Sequence, residues 1–338
     1  MSSLTELLGI RHPIVQAPMA NGPNTVDLVV AVSEAGALGS IAGATLSPDE
    51  LRAEIRAVRE RTPRPFAVNL FAPLPPPRPD PEGVDRLQRL LAPHRARRGL
   101  PDPGPRPARS WTLEDQLDVV VDERVPVFSF TFGIPPLDGL GDTVLIGTAT
   151  TEAEAVALER ARVHLVVAQA AEAGGHRGTF VGSFEESLVP LATLVPEVVD
   201  AVSVPVLAAG GIVDGRGIAA AFALGAAGVQ LGTAFLFAHE SGASPAWRRA
   251  LRECPTVVTD AYSGRPARGA RTPFVDELMA SGRPAPYPLQ AALIGDLREH
   301  DGYGWYLGGA GAPRARELPA ADLVATLVKE MEAARLKE

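Results

Sequence analysis

The chain predicts an α/β protein closed as a (β/α)8 (TIM) barrel, on three observations. Eight short apolar, β-rich runs recur along it. Helical patterns lie between most of them. The first run is followed by Gln16-Ala17-Pro18-Met19 and not by the Gly-x-Gly-x-x-Gly turn that an open doubly wound sheet usually carries.

The runs cover residues 13–17, 37–41, 65–70, 125–130, 143–147, 163–168, 204–208 and 228–231. Helix patterns cover 25–34, 48–61, 113–122, 152–162, 188–201 and 215–224. Strands that alternate with helices run parallel, because parallel neighbours need crossover connections. Eight such units over roughly 200–250 residues match the count of a barrel. Residues 1–239 therefore read as the barrel. A Pro- and Arg-rich excursion at 73–109, including Pro75-Pro76-Pro77, is expected to be a surface loop with one short helix at 84–91, because proline donates no hydrogen bond and breaks helices. Residues 240–311 mix short helical patterns with Gly/Pro turns and read as a small, mainly helical accessory domain inserted after strand eight. Residues 312–338 hold a last helix whose stripe of Leu323, Val324, Leu327, Val328 and Met331 returns to the barrel.

Composition narrows the function. The 338 residues are 46% hydrophobic and 21% charged, the balance of a soluble globular protein. A net charge of −8 disfavours a nucleic-acid partner. No basic segment precedes an apolar run at the N-terminus, and no apolar run is long enough to span a bilayer, so no signal peptide and no membrane partner are expected. Cys254 is the only cysteine, which fits a cytoplasmic protein. The two lysines, Lys329 and Lys337, lie far from every strand end, so Schiff-base chemistry is excluded there.

Barrel enzymes keep their chemistry at the carboxyl ends of the strands. Here those ends carry Ala17-Pro18-Met19, Ala42-Gly43, Asn69-Leu70-Phe71, Thr131-Phe132-Gly133, Thr148, Gln169 through His176, Gly210-Gly211 and Gly232-Thr233. They hold no carboxylate pair, no thiol and no metal-ligand cluster, so no metal site is expected. Amides, glycines and His176 remain, an inventory suited to a large organic cofactor that brings its own chemistry. Gly210-Gly211 and the Gln230-Leu231-Gly232-Thr233 turn follow strands seven and eight, where barrels cradle phosphate; tight turns alone are the alternative. The amides of Asn69 and Gln169 can match the donor and acceptor edge of an isoalloxazine, or be satisfied by backbone in the core. Gly174-Gly175 frees the backbone before His176, the one side chain there that titrates near neutrality.

Taken together, Gln16-Ala17-Pro18-Met19, Val68-Asn69-Leu70-Phe71, Ser129-Phe130-Thr131-Phe132-Gly133, Gln169 through Gly178, Ala209-Gly210-Gly211-Ile212, Gln230-Leu231-Gly232-Thr233 and Tyr262-Ser263-Gly264-Arg265-Pro266-Ala267-Arg268-Gly269 resemble the nitronate monooxygenase family, formerly the 2-nitropropane dioxygenases. The resemblance implies FMN, held by Met19, Asn69, Gln169, Gly174, Gly211 and the Gln230 to Thr233 turn, with Ala17, Pro18, Gly175 and Gly210 in the same turns. It implies His176 as the catalytic histidine. The implied reaction oxidises alkyl nitronates, and nitroalkanes where a base removes the α-proton, with O2 to a carbonyl compound and nitrite. Phe71, Phe132, Tyr303 and Trp305 are expected to wall the substrate pocket, and the protein to be a monomer or homodimer.

A related group, the flavin-dependent enoyl-acyl-carrier-protein reductases, carries Gln-Gly-Gly-Met near its first strand and Gly-Gly-His-Ile-Gly in the loop. The present Gln16-Ala17-Pro18-Met19 and Gly174-Gly175-His176-Arg177-Gly178 favour the monooxygenase. A departure is that Gly304-Trp305-Tyr306-Leu307-Gly308-Gly309 lacks the glutamine of the family's Trp-x-Gly-Gln. An NAD(P)H-dependent flavin reductase acting on enoyl thioesters or quinones, and a non-catalytic flavin- or phosphate-binding barrel, are the two other readings.

Overall fold

The computed structural model describes residues 3–76, 78–101 and 110–335; Pro77 and residues 102–109 of the expected excursion, and 336–338 of the C-terminal segment, lie outside the described residues. The strands are β1 (Ile14–Gln16), β2 (Gly39–Ala42), β3 (Phe66–Phe71), β4 (Val127–Thr131), β5 (Val144–Ala149), β6 (Leu165–Gln169), β7 (Gly175–His176), β8 (Val206–Ala209), β9 (Gly228–Leu231), β10 (Thr256–Thr259) and β11 (Ala267–Ala270). Eight of them form one parallel sheet in the order β1-β9-β8-β6-β5-β4-β3-β2. Leu38 closes it: the Gln16 amide donates to Leu38 O at 2.8 Å and the Leu38 amide donates to Ile14 O at 2.9 Å. The fold is the (β/α)8 barrel, and each expected run overlaps one of its strands.

Parallel strands buried on both faces are apolar along their length, and alternate residues sort to opposite sides. Val15, Ala67, Val127, Ile146, Leu165, Val167 and Leu207 form one cluster with Leu4 and Leu8 of an N-terminal helix, Leu4–Leu8. Ile14, Val68, Phe128, Val166, Ala208 and Val229 form the other, against the surrounding helices. Those helices begin on capping side chains: Thr25 before Val26–Glu34, Ser47 before Pro48–Arg61, Thr112 before Leu113–Asp122, Thr151 before Glu152–Arg160 and Asp214 before Gly215–Ala223. Each cap accepts from an otherwise unpaired backbone N–H. The helix expected from 188 begins at Leu191, because a residue preceding proline, here Val189 before Pro190, is pushed out of the helical region. The last helix, Ala320–Arg335, packs against Gly215–Ala223 and Val26–Glu34.

One expectation needs correction, and another gains a detail. The excursion holds an 18-residue helix, Pro81–Arg98, in place of the short helix expected at 84–91. Asp80 caps its start, Pro81 sits where no amide is needed, and Gly99 ends it in the left-handed conformation. Pro93 is carried inside it because Leu87 and Leu91 are buried against Tyr262, Phe274, Leu278 and Ile294. Arg95, 1% exposed, pins the helix through Asp296 at 2.7 Å. The 240–311 region, besides its helices, contributes β10 and β11 to a three-stranded antiparallel sheet completed by β7. The pattern was faint because β11 is Ala-Arg-Gly-Ala, without β-branched or aromatic residues. Among the described residues no helix is long and apolar enough to cross a membrane.

Candidate active site

The carboxyl ends of the barrel strands converge as the sequence predicts. The Ala17 amide donates to Leu231 O at 2.9 Å, so the ends of β1 and β9 adjoin. A Cβ placed on Gly232 would rest on Ala17 and Met19. Asn69, 3% exposed in the middle of an apolar strand, donates from Nδ2 to Ser129 Oγ at 3.0 Å. Gly210 and Gly211, after β8, take φ of 134° and 69°, a turn that residues with a Cβ enter only with strain. Thr233 Oγ1 accepts from the Gly309 amide at 2.9 Å. Gly309 and Gly308 also crowd Gly174 so closely that a Cβ there would overlap their backbone. The segment 308–311 thus crosses the glycine turns, a contact that sequence spacing did not reveal.

The histidine loop is braced from within. Gln169 donates from Nε2 to His176 O at 3.0 Å and accepts from the Gly178 amide at 2.8 Å. Its amide therefore shapes the loop, with one N–H left for a ligand. Arg177 is fully buried, and its guanidinium donates to the carbonyls of Ala170, Gln169 and Ser187 at 2.7, 2.8 and 2.6 Å. Glu172 accepts from the Leu191 amide through both oxygens, at the start of the following helix. Register then carries His176 onto the accessory sheet, opposite Ala267 of β11.

The His176 ring lies in an aromatic box. Trp305 stands edge-on at 5.0 Å between centroids, Tyr287 at 5.5 Å and Phe132 at 6.0 Å. Phe71 leans on Phe132 at 4.5 Å. Phe132 itself has φ 78°, strained for an aromatic residue and of the kind that clusters at functional sites. The Arg265 guanidinium lies 4.0 Å from its ring centre and donates to the carbonyls of Arg177 and Thr179 at 3.1 and 2.6 Å. Among the described residues Arg265 pairs with no carboxylate. Burial, reinforced by this cation, drives the His176 pKa down from 6.5 to about 3, so the ring is neutral at neutral pH. His176 Nε2 lies 2.9 Å from Ser263 Oγ. The buried indole Nε1 of Trp305 has no partner among the described residues.

Phe71, Phe132 and Trp305 thus gather at His176, but Tyr303 does not. Its ring packs on His94 and Phe274, at 5.4 and 4.8 Å, and its hydroxyl bonds His94 Nδ1 at 3.0 Å. Sequence reasoning missed Tyr287, the role of Ser263, and Arg265. Ser263 and Arg265 stand in the quoted Tyr262 to Gly269 string, but only the β7–β11 register shows that they meet His176.

A histidine in an aromatic box at the carboxyl mouth of a barrel, ringed by glycine turns, lies where barrel enzymes keep their chemistry. The family model for nitronate monooxygenase matches residues 1–330, and the chain belongs to that family of oxidoreductases. It is 42% identical over 311 residues to a protein of Staphylococcus saprophyticus named probable nitronate monooxygenase, covering 88% of this chain and 86% of that one. A protein of the same name from Staphylococcus aureus is 40% identical over 306 residues, with the same coverage. The crystal structure of nitroalkane oxidase from Streptomyces ansochromogenes superposes with a TM-score of 0.90 at 40% identity, covering 99% of each chain. FabK from Thermotoga maritima superposes with a TM-score of 0.77 at 32% identity, covering 100% of this chain and 98% of that one.

Proposed function

We propose that the protein uses bound FMN to oxidise small alkyl nitronates with O2 to a carbonyl compound and nitrite, and that it acts on nitroalkanes by first removing their α-proton. The observation that carries this reading is His176: neutral, boxed by aromatic rings, and next to the Arg265 guanidinium, which makes no ion pair among the described residues. Nothing else among the strand ends is a free acid or base. Glu172 is committed to the Leu191 amide, and among the described residues no three metal-binding side chains cluster.

The residues fit FMN on this structure's own terms. Trp305 offers a buried N–H that no protein oxygen takes up. Thr233, accepting from Gly309, keeps its own proton for an anionic oxygen. Gly210-Gly211 and Gly232-Thr233 would hold the phosphate by backbone amides, with Ala17-Pro18-Met19, Asn69, Gln169, Gly174, Gly175, Gln230 and Leu231 around the rest. When bound, the flavin supplies the electron-accepting chemistry that no side chain here can provide. The chain's part is to bind, orient and deprotonate. Phe71, Phe132, Tyr287 and Trp305 exclude water and surround the alkyl group. His176 takes the α-proton of a nitroalkane, and the Arg265 charge favours the anion that results.

The experiment is direct. The purified protein is expected to release FMN on denaturation, and to consume O2 and form nitrite with ethylnitronate. Protein without flavin, or flavoprotein that yields no nitrite, ends the reading. Anaerobic mixing separates the reductase: bleaching by NADH, with no response to nitronate, would assign the chain there.

A further inference from the structure

We propose that Ser263 is a positioning residue that holds His176 as the Nε2–H tautomer and leaves Nδ1 as the atom that accepts the substrate proton; the proposal deepens the reading above and rests on it. The protons around one oxygen decide the tautomer. Ser263 is fully buried. Its Oγ has three neighbours: Arg265 O at 3.1 Å, the Arg265 amide at 3.4 Å and His176 Nε2 at 2.9 Å. A carbonyl oxygen can only accept, and a backbone amide can only donate. No other donor among the described residues reaches Arg265 O, so a buried carbonyl would go unpaired if the hydroxyl proton turned elsewhere. The proton therefore points to Arg265 O. The Ser263 oxygen is then an acceptor toward His176, and Nε2 must carry the hydrogen.

A neutral imidazole has one N–H, so Nδ1 is bare. Nδ1 makes no hydrogen bond among the described residues, and it is not among the buried atoms left without a partner, so it is reachable from the pocket. The ring is fixed at two points. Its backbone is paired to Ala267 of β11, and its Nε2 is tied to a serine that closes a turn in which the Ser263 and Gly264 amides donate to Asp260 O at 3.2 and 2.7 Å. In the reaction the substrate Cα–H bond breaks, its electron pair moves into the C=N bond of the nitronate, and the proton bonds to Nδ1. The imidazolium later returns that proton to solvent.

The test is 15N NMR of the flavin-loaded protein labelled at histidine, with His176 assigned by the signals lost in His176→Asn. The parent is expected to show a protonated Nε2 and a bare Nδ1 at neutral pH. A protonated Nδ1 overturns the proposal, and this result needs no Ser263 variant to fold. In Ser263→Ala the tautomer signals are expected to shift toward Nδ1–H. Its kcat/KM for neutral nitroethane should fall by roughly 10-fold, part of the ~10²–10⁴ that general-base catalysis supplies, while kcat/KM for preformed ethylnitronate stays within about two-fold. Equal losses on both substrates would mark Ser263 as merely structural and also overturn it. If the parent oxidises neither substrate, the proposed function fails, and the NMR result still decides the tautomer.

Discussion

Two histidines of this chain are packed by aromatic rings, and only one of them has valence to spare. His94, in the helix Pro81–Arg98, is 8% exposed and lies edge-on to Phe274 and Tyr303. Both its nitrogens are taken, by Tyr303 Oη and the Glu277 carboxylate, each at 3.0 Å. It even lines a cavity of about 410 Å³, with Phe274, Tyr306 and Cys254. His176 has the same kind of aromatic walls, one hydrogen bond to a hydroxyl, and an arginine where His94 has a carboxylate. Burial beside a cation keeps the His176 ring neutral and also makes it a weaker proton acceptor. Cavity and aromatic packing therefore do not separate these two places. Unsatisfied hydrogen-bonding capacity does: bare Nδ1 on His176 and the unpaired indole N–H of Trp305 beside it.

Matched substitutions test this contrast at its widest. His176→Asn should lower kcat/KM for nitroalkanes by roughly 10²–10⁴-fold, the range for loss of a general base, and His94→Asn should leave it within about two-fold. Steady-state nitrite formation measures both. Comparable losses in the two variants would dissolve the distinction.

The next effect is on the frame that holds His176. Arg177→Met should destabilise the protein by about 3 kcal/mol, because three buried carbonyls lose a charged donor at once. Urea denaturation reads this as a lower midpoint. A change below about 0.5 kcal/mol, the range of ordinary surface substitutions, would show that the loop keeps its shape without the arginine.

The sequence spoke clearly about one of these regions and faintly about the other. The strands were legible because buried parallel strands are apolar without interruption, which also made Asn69 stand out within Phe66–Phe71. His176 was legible because two glycines precede it at the end of such a strand. Ser263, Arg265 and Tyr287 reach it from far along the chain, through the pairing of β7 with β11, and no local pattern in Ala-Arg-Gly-Ala announces that register. Arg177 looked like a family marker, and the structure gives it a mechanical reason, since it ties three carbonyls of the loop. The helix Pro81–Arg98 was obscured by Pro93 and the neighbouring prolines, although Leu87 and Leu91 at helical spacing were its signal. Tyr303 and Trp305 lie two residues apart, yet they serve different histidines.

Acid sharpens the comparison in another way. The His176 pKa is near 3 when folded and near 6.5 when unfolded. Between those values the unfolded chain holds a proton that the folded one lacks, so this contribution is full above about pH 6.5 and is lost as pH falls toward 3. At pH 5 the loss should be about 2 kcal/mol relative to pH 7. His176→Asn should lack that component of the pH dependence, and denaturation at both pH values compares the variant with its parent. Nitroalkane turnover should likewise show no fall between about pH 6 and pH 5 from protonation of the base. A drop with an apparent pKa near 6 would show a histidine far less perturbed than this packing requires.

The smallest expected effect falls on the satisfied histidine. Tyr303→Phe keeps the ring against Phe274 and removes only the hydroxyl that His94 Nδ1 meets. It should cost about 1 kcal/mol of stability, the usual net worth of such a bond, with KM and kcat for nitronate unchanged. His94 would keep its Glu277 partner, so only one of its two hydrogen bonds is lost. A rise in KM without loss of stability would return Tyr303 to the substrate pocket, and with it the His94 cavity to the functional surface.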